Sequence, residues 1–489
     1  MRGKFYKPLL LVSSLLLLGA AAQFQRVLNG LRSDPKLGLM RVTDLGSNAP
    51  PVLAFTTVAL GGFRGLIANA LWIRASDLQD KGKYFEMVQL ADWITKLEPS
   101  FAQVWLVQSW NMAFNISVKF TDYADRWRWV QRGIELLRDQ GLRYNPTEAL
   151  VYRELAWFFQ FKMGATADDA HLYYKTAWAK EMNQVLGSGH PNFDELLAPK
   201  TDDTRKRAAL LRDKYKMEPA EMKEVDQLYG PLEWRLPEAH AIYWASIGLK
   251  RAKKKDLITL RRVIYQSMHT VALRGRLISV DPIYYDADLD KVDRANSAYE
   301  KMMAEDTEMR DVIKRAHRNF LRETVYQLYT HNRLAEADKL FRLLKQNYPD
   351  VVPADKSLEQ YALEKLAGNL SDASNDRMKV IIEGAITKHF INLALGDEGQ
   401  AEGFDRMARQ LWTYYDDKIK VRREPLKFPP LPEMKRTVLE KLTGPETRFN
   451  PELVARLRAR FSLPPPATNA LPPQLPGTSS PSPSGRGPG

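Results

Sequence analysis

The sequence predicts an all-α chain built as an array of antiparallel helix pairs, and three observations carry this. Apolar residues step by three and four, as in Leu90, Trp93, Ile94 and Leu97, so each such helix has one face that a neighbour must cover. Glycine or asparagine stands at the turns between these segments, at Gly82, Gly164, Asn332 and Gly396; asparagine can replace glycine where the backbone must be left-handed. Proline follows the second member of several pairs, at Pro99, Pro146 and Pro349, and it cannot continue a helix.

At 489 residues and 44% hydrophobic, the chain can bury a large core, as roughly two to four domains or as one stacked array. It contains no cysteine, which excludes disulfides, thiolate metal sites, a cysteine nucleophile and a lipid-bearing cysteine. The formal charge is +13, but acids interleave with bases. The basic runs at residues 250–255 and 205–207 read as solvated helix ends, with a stripe for anionic lipid as the second reading. No recognition motif accompanies the charge, so nucleic acid is not among the expected partners.

Residues 1–24 read as an N-terminal signal anchor: Arg2, Lys4 and Lys7 precede an uncharged run from Pro8 to Ala22. The run is read as an uncleaved transmembrane segment, although Ala20-Ala21-Ala22 also satisfies a small-x-small cleavage pattern. Residues 25–51 form a linker containing Asp34-Pro35 and Pro50-Pro51. Residues 52–73 carry Arg64 as their one charge. They suit a buried or membrane-lying first helix better than a second span, and Arg64 would then bond a carboxylate or helix-end carbonyls.

The first helical-repeat segment is 52–186. Its second unit has Trp105 and Ser109, then a long helix from about Tyr123 to Leu142; the third has Tyr152, Leu155, Ala156 and Phe159, then Ala170, Tyr174 and Ala177. Small residues there allow close helix approach, and an aromatic ring fills the groove beside them. Residues 187–237, bracketed by Gly187-Ser188-Gly189 and Gly230-Pro231, are an insertion or hinge. The second helical-repeat segment is 238–423, with Ala337, Phe341, Ala401 and Ala408 in the same register. Residues 424–489 are a Pro-rich tail, expected to be largely disordered, with short helices at 433–442 and 451–461.

No motif for catalysis emerges. Asp286, Asp288 and Asp290 begin like a calcium loop, but Lys291 and Ser297 stand where the loop needs Gly and Glu; the stretch reads as an acidic turn starting a helix. The seven histidines show no close ligand spacing, and Glu238 and His240, two apart on a helix, point away from each other. There is no nucleophile elbow, phosphate loop or dinucleotide fingerprint. No catalytic, metal or cofactor residue is therefore assigned, and no cofactor is expected.

Eight of the eleven tryptophans fall between Trp72 and Trp178. Trp93, Trp105 and Trp157 lie on helical apolar faces and read as core. Trp127 and Trp129, alternating with Arg126 and Arg128, read as the exposed ones.

Over residues 65–415 the register of Gly82, Tyr84, Leu97 and Pro99, and of Asn332, Ala337, Phe341 and Pro349, resembles divergent, membrane-anchored bacterial tetratricopeptide-repeat proteins. The resemblance implies a right-handed solenoid of helix pairs that binds a protein on its concave face and does not catalyse. The first-helix Trp-Leu-Gly signature of that family is mostly absent. The function expected is a scaffold or adaptor in a cell-envelope complex, held in the inner membrane by a single pass with most of the chain on the periplasmic side. Its partner-binding residues would be Arg126, Trp127, Arg128 and Trp129, since Trp and Arg dominate interface hot spots. The alternative is an (α/α) toroid enzyme acting on polysaccharide, for which no convincing pair of acidic residues is present.

Overall fold

In the computed structural model, residues 6–32, 64–253, 257–368, 375–422, 429–447 and 449–464 are described. They are overwhelmingly helical and divide into two compact units, 1–154 with 251–253, and 155–250 with 254–489.

In the first unit, α1 (Tyr6–Arg32) is followed by α2 (Arg64–Asp80) and α3 (Tyr84–Leu97). The helix expected as the anchor thus forms; among the described residues no helix is long and apolar enough to cross a membrane. The Arg64 side chain, and with it the partner expected for it, lies outside the described residues. Next come α4 (Ala102–Trp110), running on as a π-helix over Asn111–Ile116, and α5 (Tyr123–Glu135), running on as a π-helix over Leu136–Gly141 and ending with Leu142–Tyr144. Asp122 caps α5, its carboxylate accepting from the Ala124 and Asp125 amides at 2.8 and 3.0 Å.

In the second unit, α6 (Ala149–Trp157, beginning in the first) continues as a π-helix over Phe158–Met163 and is followed by α7 (His171–Leu186). The expected insertion folds into three short helices, α8 (Phe193–Leu197), α9 (Asp202–Asp213) and α10 (Pro219–Tyr229). Then come α11 (Pro237–Arg251), α12 (Leu257–Arg274), α13 (Val292–Glu305), α14 (Arg310–Thr330), α15 (Leu334–Asn347), α16 (Leu358–Gly368), α17 (Asn375–Leu395) and α18 (Glu398–Arg422).

Three turns share one geometry. Gly82, Asn332 and Gly396 have φ of 68°, 61° and 80°. At each, the residue after the turn donates its N–H back to the last helical turn: Lys83 to Leu78 O at 2.8 Å, Arg333 to Leu328 O at 2.9 Å, Asp397 to Asn392 O at 2.9 Å. The turn residue itself donates to Gln79, Tyr329 or Leu393 O at 3.0–3.2 Å. This pair of bonds is a Schellman closure, which satisfies carbonyls the helix end leaves open. The helices that follow also end alike. Glu98 and Tyr348, each before a proline, adopt φ/ψ of −130°/66° and −139°/65°, out of the helical region as a residue before proline must be. Gly164 differs from the expectation: its φ is −77°, and its missing side chain matters because a Cβ would lie 2.5 Å from Gln160 O.

Two elements depart from the all-α reading. An antiparallel hairpin, β1 (Arg276–Val280) and β2 (Ile283–Asp286), pairs Leu277 with Tyr285 and Val280 with Ile283. The signal was present: Leu277, Ile278 and Val280, then Ile283, Tyr284 and Tyr285, flank an Asp-Pro turn. The tail also differs in part. Helices α19 (Leu431–Thr443) and α20 (Pro451–Arg460) form near the expected places, and their Met434, Val438, Leu453 and Leu457 join the core of α17 and α18. The expectation of disorder beyond residue 464 lies outside the described residues.

The face assigned to Trp93 is corrected: Trp93 is 57% exposed. The buried stripe of α3 is Met87, Ala91, Ile94 and Leu97, packed on Ala68, Ala75 and Leu78 of α2. Ala68, Ala75 and Ala91 belong to one buried cluster, and small residues of this kind leave room for two helices to approach where a tryptophan would not. Trp105 is core as expected, 2% exposed, stacked on Tyr144 at 5.8 Å with its Nε1–H donating to Pro99 O at 2.8 Å. Trp157 is half-buried.

Two comparisons check this packing. Trp105→Ala should cost about 3–5 kcal/mol, while Trp93→Ala should stay within about 0.5 kcal/mol of the parent; equal losses in denaturant titrations would contradict the assignment. At Gly403 a Cβ would sit 2.3 Å from Thr330 O, whereas at Gly384, inside α17, nothing lies within 4 Å. Calorimetry should show Gly403→Ala destabilised by about 1–3 kcal/mol and Gly384→Ala stabilised by roughly 0.5–1 kcal/mol.

Candidate functional site

The four residues singled out from the sequence sit at the start of α5, and the structure separates them. Trp127 is buried, 6% exposed, and with Val130, Ile134 and Leu137 forms the core stripe of that helix. The expectation that it is exposed is therefore corrected; its spacing to Val130, Ile134 and Leu137 is a helical period that could have revealed this. Arg128 is exposed and paired with Asp125 at 2.7 Å. Arg126 donates Nε–H to Phe120 O at 2.7 Å and covers the Tyr123 ring. Trp129 is half-buried.

Trp129 belongs instead to an aromatic cluster at the surface of the first unit. Phe85, from α3, meets its edge at 5.7 Å, Phe120 stacks on it at 6.3 Å, and the Arg132 guanidinium lies 4.9 Å over its ring. Phe85 is itself 52% exposed. Lys119 covers the neighbouring Tyr84 ring at 5.6 Å. Rings left half in water beside cations make a surface of the kind that takes apolar or acidic groups of a partner. Phe85 and Phe120, 35 positions apart in sequence, escaped notice because only the helix pairing brings them together.

The second unit contains a buried polar group that sequence reading missed. Lys175, 2% exposed on α7, places Nζ 3.2 Å from His171 Nδ1 and over the Tyr285 ring of β2. Burial pulls the Lys175 ammonium down to about 8, against the attraction of Glu238. Burial also pushes the Glu238 carboxyl up, with Lys175 opposing. Beside them Lys162 pairs with Asp168 at 2.5 Å, and Tyr174 donates its hydroxyl to the same carboxylate at 3.3 Å. Lys175 thus joins α7 to β2 through the Tyr285 ring, with the Glu238 carboxyl of α11 near enough for the two charges to act on each other.

Glu238 and His240 do point apart, as their spacing implies. His240 donates Nε2–H to Trp234 O at 2.8 Å and packs between the rings of Phe159 and Trp178. The three aspartates diverge as well: Asp286 pairs with Lys388 at 3.0 Å, Asp288 with Lys291 at 3.4 Å and Asp290 with Arg333 at 2.6 Å. Burial works against the ionised form of Asp286, yet His331 and Lys388 hold its carboxyl well below the usual range. Among the described residues no three potential metal ligands converge.

Comparison of the chain with protein-family models, with curated proteins and with solved structures gives no match.

Two buried histidines, His240 and His317, and the half-buried His269 give the second unit an acid limit. Burial holds His240, His269 and His317 at about 4, from an ordinary value of 6.5. His317 donates Nε2–H to Asn296 Oδ1 at 2.7 Å, and its Nδ1 lies 2.9 Å from the Tyr348 hydroxyl, which can donate to the neutral ring. Below pH 6.5 the unfolded chain takes up protons that the folded one refuses until about pH 4. The stabilisation is therefore complete above 6.5 and is lost between 6.5 and 4, up to about 3 kcal/mol for each histidine. Thermal unfolding of the second unit should shift down steadily from pH 7 to pH 4.5, and His240→Gln should make that slope shallower; a flat profile would contradict buried neutral rings.

Proposed function

We propose that this protein is a membrane-attached helical-repeat scaffold that binds a protein partner in a cell-envelope complex. The observation that carries the reading is the surface cluster of Phe85, Phe120 and Trp129 with Arg132, presented by helix hairpins that recur with one turn geometry. Stacked hairpins recognise by shape, with affinity spread over several helices; large rings beside guanidinium groups are the side chains that most often dominate such contacts. The tetratricopeptide-like register supports the same reading. Attachment is ascribed to α1, whose Val12, Leu16, Leu17, Leu18 and Phe24 are exposed.

The partner-binding residues are accordingly Trp129, Arg126 and Arg128 of the original four, with Phe85 and Arg132 added and Trp127 assigned to the core. The test places a photo-crosslinking side chain at Phe85 in the full-length protein in its native membrane. One discrete adduct is expected, reduced several-fold by Trp129→Ala with Arg132→Ala while melting is little changed. Turnover of a glycan by the purified protein, abolished by one Asp or Glu substitution that leaves the fold intact, would replace this reading with the toroid enzyme.

A further inference from the structure

The helix that opens the first hairpin is apolar on two sides. One side of α2 is accounted for: Ala68, Ala75 and Leu78 are buried against α3, with Leu71 and Trp72 packed at the margin. On the opposite side Leu66 and Ile73 stand 64% and 71% exposed, with Ala70 and the polar Asn69 exposed between them. From Gly65 to Ile73 no charge occurs. The next two turns restore ordinary amphipathicity, since Arg74, Ser76, Gln79 and Asp80 take the exposed positions. Large apolar side chains on both sides of a helix call for burial in protein or in lipid, and here only the N-terminal half has them.

We propose that this half of α2 lies against the lipid bilayer, as a second membrane contact separate from α1. Three features favour lipid as the occupant. Across residues 52–73 the one charge is Arg64, a side chain long enough to reach headgroups from an interfacial helix; the apolar character otherwise continues upstream where a discrete protein-docking patch would end in polar residues. Aromatic side chains flank the face: the Trp72 and Phe101 rings meet at 6.0 Å, Phe101 is 46% exposed, and such rings favour the headgroup level of a bilayer. The same unit holds α1, whose exposed apolar side chains are the attachment proposed above, so the chain is already confined near a membrane surface. The inference rests on that attachment, and it adds an orientation: the N-terminal half of α2 dips into the interface, and the polar end with Gln79 and Asp80 points away from it.

The absence of native cysteine makes the test direct. Single-cysteine full-length variants Leu66→Cys, Ile73→Cys, Gln79→Cys and Leu17→Cys are labelled with an environment-sensitive fluorophore and reconstituted in phosphatidylcholine–phosphatidylglycerol vesicles. Quenching is compared between nitroxide-bearing acyl chains and aqueous iodide. Labels at 66 and 73 should lose several-fold more fluorescence to the acyl-chain quencher than the label at 79, and should be shielded from iodide. Iodide quenching at 66 and 73 overturns the proposal. Shielding from both quenchers overturns it too, since a protein surface, either residues of this chain or a second copy, then covers the face. The label at 17 reads α1 separately: lipid quenching at 17 without it at 73 leaves the attachment standing and removes this contact, while loss of both removes the attachment itself.

Discussion

The left-handed residue that closes three of the helix hairpins is the constraint from which much of the packing follows. At Gly82, Asn332 and Gly396 the chain reverses within a few bonds, and the two returning N–H groups fix where the next helix begins. Once that start is set, the 3.6-residue period determines which positions face the first helix. Met87 and Ala91 after Gly82, and Ala337 and Phe341 after Asn332, are buried accordingly. The turn at Asn332 is also read by its neighbour. Arg406 donates to Asn332 Oδ1 at 2.7 Å and to Tyr329 O at 2.9 Å, and Gly403 lets α18 approach the backbone there. One hairpin's turn thus becomes a docking point for the next pair.

Charges inside the second unit follow a different logic. Lys162, Lys175, Glu238 and Lys291 are all buried, and each is close to groups of opposite charge or able to accept its protons. Such groups contribute little net stability over an apolar packing of the same shape, but removing one partner leaves the other uncompensated. They therefore act as register pins. Asp286, at the end of β2, shows this: its contacts with Lys388 at 3.0 Å and His331 at 3.7 Å hold the hairpin to α17 and to the end of α14.

Surface character also differs along the chain. From Leu66 to Tyr123 exposed large apolar side chains recur, including Ile73, Phe85, Trp93, Phe101 and Trp110, while among the described residues of the second unit those exposed are more widely spaced, apart from the neighbours Leu172 and Tyr173. Scattered exposure is ordinary in a folded protein, whereas concentration of it marks a contact surface. Partner binding and lipid contact are both placed in the first unit for this reason, on different residues.

The sequence by itself determined the helical class, the hairpin turns and their stops. A left-handed turn at Gly82, Asn332 and Gly396 and a helix end before Pro99, Pro146 and Pro349 depend on backbone sterics within a few residues, which local sequence states directly. The helix over Tyr123–Glu135 and the helices near 433 and 451 were legible on the same ground. Which side of a helix is buried was legible only where one apolar stripe exists. On α3, Leu90 and Trp93 compete with Met87 and Ala91 for the face that Ile94 and Leu97 share, and packing with Ala68, Ala75 and Leu78 decided for Met87 and Ala91. On α5 the arginines beside Trp127 suggested exposure, and the packing of Val130 and Ile134 decided against it. The Phe85–Phe120–Trp129 cluster and the Lys175–Glu238 network were illegible because their members are distant in sequence. Whether such side chains meet is set by helix pairing, and so by tertiary structure alone.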